Sequence, residues 1–386
     1  MAHYDVAVVG LGVLGSGAAY YAAQKGATVI AFEQFDLGHV RGASHDTSRI
    51  VRTSNFSPEL VSFAKSAYKD WAELEKASGQ KLLTITGGLV FFPDEPGTPA
   101  LARDFTKSLD QNDVPHELLD SRQVRERWPQ FQLPENLSTV YTADSGIAHA
   151  SRTVGTLQAL ARAHGAILRE QTRVDRIVPR SANDRRTVII HTSKGQFQAY
   201  KVILATDAWT DRLLSPLGTH IPVTIMQEQV TYFKPTDASK FEPEQFPVWI
   251  WNGATCFYGF PCYGEPTIKA ARDTSNNFMT PEQRTYVHSP QLLGELSTFM
   301  NNFIPDESRQ PLRTVTCQYT ITPERRFVIS PLESHPEIIV GLGAAHAFKF
   351  APAFGRVLAE LAVDGFTKED ISQFGIPVSA GDRSKL

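Results

Sequence analysis

Cysteine is almost missing: Cys256, Cys262 and Cys317 are the three in 386 residues. That odd count argues against a disulfide framework, and "MAHYDVAVVG" runs straight into a strand pattern with no cleavable apolar leader. Long apolar runs are missing as well. None approaches the roughly 18 residues that a membrane span needs, so a soluble protein is expected. Charge of one sign is concentrated nowhere. The 38 basic and 41 acidic side chains leave a formal net charge of -3, which excludes the electrostatic footprint of a nucleic-acid or anionic-membrane binder. A small molecule is the expected partner. There is no internal repeat or low-complexity tract, and segments such as "PTDASKFEPEQFP" read as surface loops. The length suits about two domains.

What is present begins with "DVAVVGLGVLGSGAAYYAAQKGATVIAFEQ", which reads as strand, glycine turn, helix and strand. Gly10, Gly12 and Gly15 have the G-x-G-x-x-G spacing. The first allows the tight turn, the second lets a pyrophosphate approach the backbone, and the third lets helix pack on strand. The helix N-terminus then offers free N–H groups to phosphate. Glu33 ends the second strand, where a carboxylate can accept the ribose hydroxyls of an adenosine. An acid there disfavours the 2′-phosphate of NADP and leaves NAD and FAD. Further on, "TLQALARAHG", "TRVDRIVP", "TVIIHTSKGQFQAYK" and "VILATDAW" read as helix, strand, hairpin and another apolar strand. That order looks like the glutathione-reductase type of FAD domain. The predicted fold is therefore α/β (α+β), an FAD-binding Rossmann domain with a mixed-sheet substrate domain.

Two short segments raise narrower questions. "TVTCQYTIT" (314–322) puts Cys317 in a strand-like run. From the residues alone a disulfide, a buried apolar thiol, a metal ligand and a covalent cofactor anchor are all open. The chain ends in Ser384-Lys385-Leu386, a tripeptide that peroxisomal import receptors read as an address. It predicts a peroxisomal location, a eukaryotic source and oxidative chemistry.

Six ordered segments resemble the monomeric sarcosine oxidase family of FAD-dependent amine oxidases, which includes sarcosine, N-methyltryptophan, pipecolate and fructosyl-amino-acid oxidases. They are "GLGVLGSG" (10–17), "GASHDTSRIVR" (42–52), "TGGLVF" (86–91), "YGFPCYGEPTIK" (258–269), "TCQYT" (316–320) and "GAAHAFKFAPAFG" (343–355). The resemblance runs nearly end to end. It implies a thioether from Cys317 to the flavin 8-methyl carbon, formed by the nucleophilic thiolate. Cys256 and Cys262 match no family role and read as core or loop residues.

The resemblance also assigns the chemistry. Arg49 would lie against the flavin and Arg52 would pair with the substrate carboxylate, for which a planar guanidinium is suited; three residues apart, they would share one face of a short helix. His45 would help position the flavin. Lys269 would sit near flavin N5 and stabilise negative charge developing on oxygen. Tyr258 and Tyr319 match active-site tyrosines, eleven residues before Lys269 and two after Cys317. Lys349 would join Arg52 on the carboxylate, and His346 matches a second active-site histidine. The flavin neighbours implied are Gly10, Gly12, Leu14, Gly15, Glu33, Arg41, Ser44, Cys317, Phe348 and Lys349, with no metal. The strand-to-helix turn at 343–355 would stabilise the reduced flavin through its backbone N–H groups and helix dipole. The reaction implied takes a hydride equivalent from the carbon next to a secondary amine to flavin N5. An imine results, and oxygen is reduced to hydrogen peroxide.

Two positions depart from the family. Asp273 stands where sarcosine oxidases have histidine and fructosyl-amino-acid oxidases tend to have an acid, making it a substrate-contact candidate. Asp207 replaces a common glycine. The expected substrate is an N-methyl or cyclic secondary amino acid, with a fructosyl amino acid or an N-methylated aromatic amino acid as alternatives; "SRIVR" looks closer to the sarcosine and pipecolate branches. From other classes come an NAD-dependent dehydrogenase, if Cys317 is structural, and a flavoprotein that only binds partners. The FAD domain is expected at 1–80, 145–215 and 325–386, and the substrate domain at 81–144 and 216–324.

Overall fold

Short apolar runs broken by glycine turns build the first sheet. The strands His3–Val9 and Val29–Phe32 pair in parallel, joined by the helix Val13–Gln24. The computed structural model describes residues 3–95, 102–179, 187–305 and 310–377; the Ser384-Lys385-Leu386 tail lies outside them. The helix Val13–Gln24 is apolar nearly all round and is buried accordingly. It crosses the later helix Ala351–Val363 at two glycines: a Cβ on Gly355 would lie 2.6 Å from the Gly17 carbonyl carbon. Contact this close between backbones tolerates only hydrogen at Gly355, and a Cβ on Gly17 would crowd the Gly355 Cα at 3.2 Å.

The strand Gly195–Leu204 is the hub of this sheet. One edge pairs in parallel with His3–Val9. The other meets Val188–Thr192 antiparallel along its first half and Ile338–Leu342 in parallel at its end. "VIL" thus continues the hairpin strand, and does not form the separate strand that the sequence suggested. The unbroken β-favouring run "FQAYKVIL" explains it. Ile167–Arg169 and Val328–Pro331 complete the sheet with Val174–Val178.

The second sheet is mixed. Its order is Pro311–Ile321, Thr224–Phe233, Ile268–Arg272, Cys256–Phe260, Val248–Asn252, Gly88–Pro93, Leu137–Thr142 and Glu117–Asp120. Only the Val248–Asn252 to Gly88–Pro93 pairing is parallel. Its inner face packs Trp249, Phe91, Phe131 and Phe303 into one aromatic cluster. A third, three-stranded sheet joins Ser48–Val51, Gly146–His149 and Leu83–Ile85.

Ser48–Val51 corrects the expectation of a short helix carrying Arg49 and Arg52. β-Branched Ile50 and Val51 favour extended backbone, and the run pairs antiparallel with Gly146–His149. Residues three apart on extended backbone point to opposite sides. The two arginines therefore diverge, Arg49 towards the Phe348 ring and Arg52 towards Phe105.

Candidate active site

The glycine turn opens onto a cavity of about 400 Å³. Its walls include Gly10, Gly12, Leu14, Glu33, Ser44, His45, Arg49, Tyr319 and Phe348 from the predicted set. Gly10 has φ +90°, and a Cβ there would lie 2.4 Å from the Ala205 carbonyl oxygen. Gly15 is tighter still, since its Cβ would lie 1.9 Å from the Gly10 carbonyl oxygen. Both are requirements of the turn. Gly12 caps the helix without a side-chain bond, while the Val13 N–H donates to Ser44 Oγ at 3.0 Å. The turn is held from beneath, where Gln158 Nε2 donates to the Leu11 carbonyl at 3.0 Å.

Glu33 Oε2 accepts the Leu11 N–H at 2.9 Å and Oε1 accepts the Phe35 N–H at 3.1 Å. The carboxylate is thereby fixed, with lone pairs left for ribose hydroxyls. At the other end of the lining, the buried His45 Nε2 has no hydrogen-bond partner, and burial with the nearby Arg49, Arg284 and Lys269 charges holds its ring neutral, its pKa down to about 3. A phosphate-binding turn, a ribose acid and an unpartnered nitrogen fit an FAD.

Arg49 is held by three carbonyls, donating to Ser48, Ala43 and His45 at 2.8 to 2.9 Å. Its guanidinium also lies over the Phe348 ring. Cys317 is buried and free of any disulfide. Burial pushes its thiol up to about 11, against the pull of the Arg49, Arg284 and Lys269 charges. Opposite Cys317 in the strand ladder stands Glu228, whose burial raises its carboxyl to about 7. Arg284 reaches over from a loop, donating to the carbonyls of Val40, Arg41 and Thr316. Predicted Arg41 itself is exposed and lies over Phe35, not on the cavity wall.

Beyond Phe348 the polar groups gather. Arg52 donates to the Ser54 carbonyl and lies near Phe105. Lys349 Nζ donates to the His346 carbonyl at 2.8 Å. Among the described residues neither cation has a carboxylate within salt-bridge distance. Burial pushes Arg52 down to about 10, and burial together with the Arg52 charge pushes Lys349 well below an ordinary lysine. Tyr258 and Tyr319 bring their hydroxyls to 3.5 Å, and His346 meets Tyr319 edge-on. Asp273 does not stand alone: Arg325 and His346 hold it. Asp207 takes a left-handed φ of 46°, which explains why glycine suits that turn. Burial raises its carboxyl to about 6, opposed by Thr320, Ala208 and Gln318.

Four charged groups in this region escaped the sequence reading: Asp46, Arg325, Glu228 and Arg284. Asp46 lay inside a quoted motif, between His45 and Arg49, but nothing local to it pointed to its partner Lys269. Arg325 is 52 residues from its partner Asp273, so no local spacing revealed it.

The profile of the family described as DAO, FAD dependent oxidoreductase, matches residues 5–361. Monomeric sarcosine oxidase from Streptomyces avermitilis is 33% identical over 381 residues, covering 96% of this chain and 96% of the relative. Human peroxisomal sarcosine oxidase is 28% identical, covering 97% and 95%. Among solved structures, the open form of NikD, an amino acid oxidase of nikkomycin biosynthesis, superposes with a TM-score of 0.84 at 28% identity over 98% of both chains. With the profile spanning the glycine turn, both sheets and the turn at 343–355, the chain belongs to the FAD dependent oxidoreductase family and is similar throughout to its sarcosine oxidase members.

Proposed function

We propose that this enzyme oxidises the secondary amine of an N-methyl or cyclic amino acid. The observation that carries the reading is the pair Arg52 and Lys349, two buried basic groups with no carboxylate at salt-bridge distance among the described residues. Burying such charges unpaired is costly, and a substrate carboxylate would offset that cost. The bidentate geometry of Arg52 fixes the carboxylate plane, while Lys349 adds a point charge. Tyr319 lines the cavity, and the Tyr258 hydroxyl lies 3.5 Å from its own. Bound FAD would supply the electron acceptor for the carbon next to nitrogen. The chain supplies orientation and charge: Arg49 and His45 beside the flavin site, and Lys269 as the ammonium that favours oxygen reduction.

Cys317 is proposed as the covalent anchor of the flavin, supported by its place in the segment 316–320 and by the Arg49, Arg284 and Lys269 charges, which favour the thiolate against the opposing effect of burial. Hydrogen peroxide is the proposed second product. The C-terminal Ser-Lys-Leu, together with the likeness to the human peroxisomal relative, supports a peroxisomal address read by an import receptor. The family assignment removes the NAD-dependent dehydrogenase alternative. A fructosyl amino acid is the second substrate reading. It is favoured by the Asp273 and Arg325 pair, which presents both acceptors and donors to hydroxyl groups.

The test is anaerobic flavin bleaching followed by a peroxide assay. Substrates would be sarcosine, pipecolate, N-methylated aromatic amino acids and fructosyl glycine. Bleaching by at least one secondary amino acid is expected, and its loss when the carboxylate is esterified. A flavin that none of them bleaches would sink the reading.

A further inference from the structure

Lys269 is buried, its side chain 3% exposed, in the strand Ile268–Arg272. An ammonium taken out of water deprotonates unless its N–H groups and charge are met. All three N–H groups are met here. Asp46 Oδ2 accepts at 2.6 Å, Ser48 Oγ at 3.0 Å and the Ser48 carbonyl at 3.2 Å. Aromatic faces close the rest, with Phe260 at 4.9 Å and Tyr232 at 5.6 Å from Nζ.

Asp46 is itself fixed from several sides. Its Oδ1 accepts from Tyr232 OH at 2.5 Å and from the Thr47 N–H at 2.8 Å. Its backbone sits at φ +82°, a strained conformation for aspartate. The Asp46 carbonyl is pinned there by the N–H of Ser151 at 3.0 Å and the Ser151 hydroxyl at 2.8 Å. Strain held in place by such contacts marks a side chain whose direction matters. The carboxylate is 10% exposed, so its charge acts with little screening.

We propose that Asp46 is a positioning residue that keeps Lys269 protonated and fixed beside the flavin site, with Tyr232 and Ser151 fixing Asp46 in turn. The inference rests on the reading that Lys269 faces the flavin. The groups that set the Lys269 charge are few. Burial lowers its affinity for a proton, Asp46 raises it and Arg49 opposes Asp46, leaving the ammonium with a pKa of about 8. Asp46 stays ionised, since the Lys269 and Arg49 charges outweigh its own burial. Asp46 is the only carboxylate among these groups. Without it, burial and Arg49 act together, and Lys269 becomes a neutral amine near pH 7.

The readout is sulfite binding to the oxidised holoenzyme, followed by flavin absorbance, because the adduct places negative charge on the flavin that a neighbouring ammonium stabilises. The oxygen reaction of the reduced enzyme from pH 6 to 9 is followed beside it. Asp46→Asn should weaken sulfite binding at pH 7 about tenfold or more and move the fall in oxygen reactivity to lower pH. Asp46→Glu should restore much of both, and anaerobic reduction by the amine should change far less. If Asp46→Asn fails to fold, Tyr232→Phe serves in its place and should give a smaller shift in the same direction. An unshifted profile in the folded variants, with Lys269→Met strongly impaired, overturns the Asp46 role and leaves the active-site reading standing. Sulfite binding and oxygen reactivity that survive Lys269→Met overturn both.

Discussion

Arg325 turns its guanidinium flat onto the carboxylate of Asp273, with Nη1 3.0 Å from Oδ2 and Nη2 3.3 Å from Oδ1. His346 closes the group, its ring nitrogens within 3.2 Å of Arg325 Nη1. Burial alone would raise the Asp273 carboxyl, but the His346 contact and the Arg325 charge and hydrogen bonds outweigh it and hold it well below the ordinary range, while burial lowers His346 itself toward the neutral ring. The pair is therefore a near-neutral, polar wall close to the cationic Arg52 and Lys349. Asp273→Asn would leave Arg325 as a third cation without its carboxylate partner. Steady-state kinetics should then show KM falling about tenfold for an iminodiacid, roughly 1.4 kcal/mol, with a much smaller change for sarcosine. Equal changes for the two substrates would place Asp273 outside the pocket's recognition surface.

Cys317 sets a second expectation. Cys317→Ser keeps size and polarity close to the original, so the fold and FAD binding should persist, while no thioether can form. After acid precipitation the wild-type pellet should stay yellow, and intact-mass analysis should show the added flavin. The variant should release its flavin to the supernatant. A colourless wild-type pellet under the same conditions would refute the covalent link.

The carboxylate anchor should titrate. Lys349 is a base whose pKa burial and Arg52 depress, so its ammonium is present at low pH and lost as pH rises, whereas Arg52, down only to about 10, keeps its charge longer. For an amino-acid substrate, KM should rise more steeply with pH below about 10 in the wild type than in Lys349→Met, whose KM is high throughout. Arg52→Lys forfeits bidentate geometry and should raise KM about tenfold or more with a smaller loss in kcat. Parallel pH profiles for wild type and Lys349→Met would remove Lys349 from the anchor.

Much of this arrangement is legible in the sequence because it is local. Gly10, Gly12, Gly15 and Glu33 sit within one strand–helix–strand unit whose geometry is set by backbone requirements; Gly10, Gly12 and Glu33 line one cavity, and Gly15 packs against the Gly10 carbonyl behind it. The helix expected around Arg49 and Arg52 is a strand because its pairing partner, Gly146–His149, lies about a hundred residues away. Arg325 and Glu228 escaped notice for the same reason: each acquires its meaning from a distant strand or loop. Asp46 is the instructive exception, present in a recognised motif yet silent until Lys269 arrives from residue 269 to meet it.

The turn that follows the strand Ile338–Leu342 holds two successive left-handed alanines, Ala344 at φ 43° and Ala345 at φ 71°. Each costs roughly 1–2 kcal/mol relative to right-handed backbone because its Cβ crowds the following carbonyl. The cost is tolerated where the turn forms the cavity wall at Ala345 and Phe348 and leads into the helix Ala351–Val363. Ala345→Gly removes that crowding at the price of a more flexible unfolded chain. We expect a net stabilisation of about 0.5–1 kcal/mol, which in a chain this long raises the thermal midpoint by only about 1–2 °C. Gly343→Ala should act in the opposite direction, because its Cβ would lie 2.9 Å from the Ala347 Cβ. Calorimetry of the FAD-saturated proteins reads both signs. A drop in midpoint for Ala345→Gly would mean that the turn draws its stability from the alanine methyl's packing, and not from relief of backbone strain.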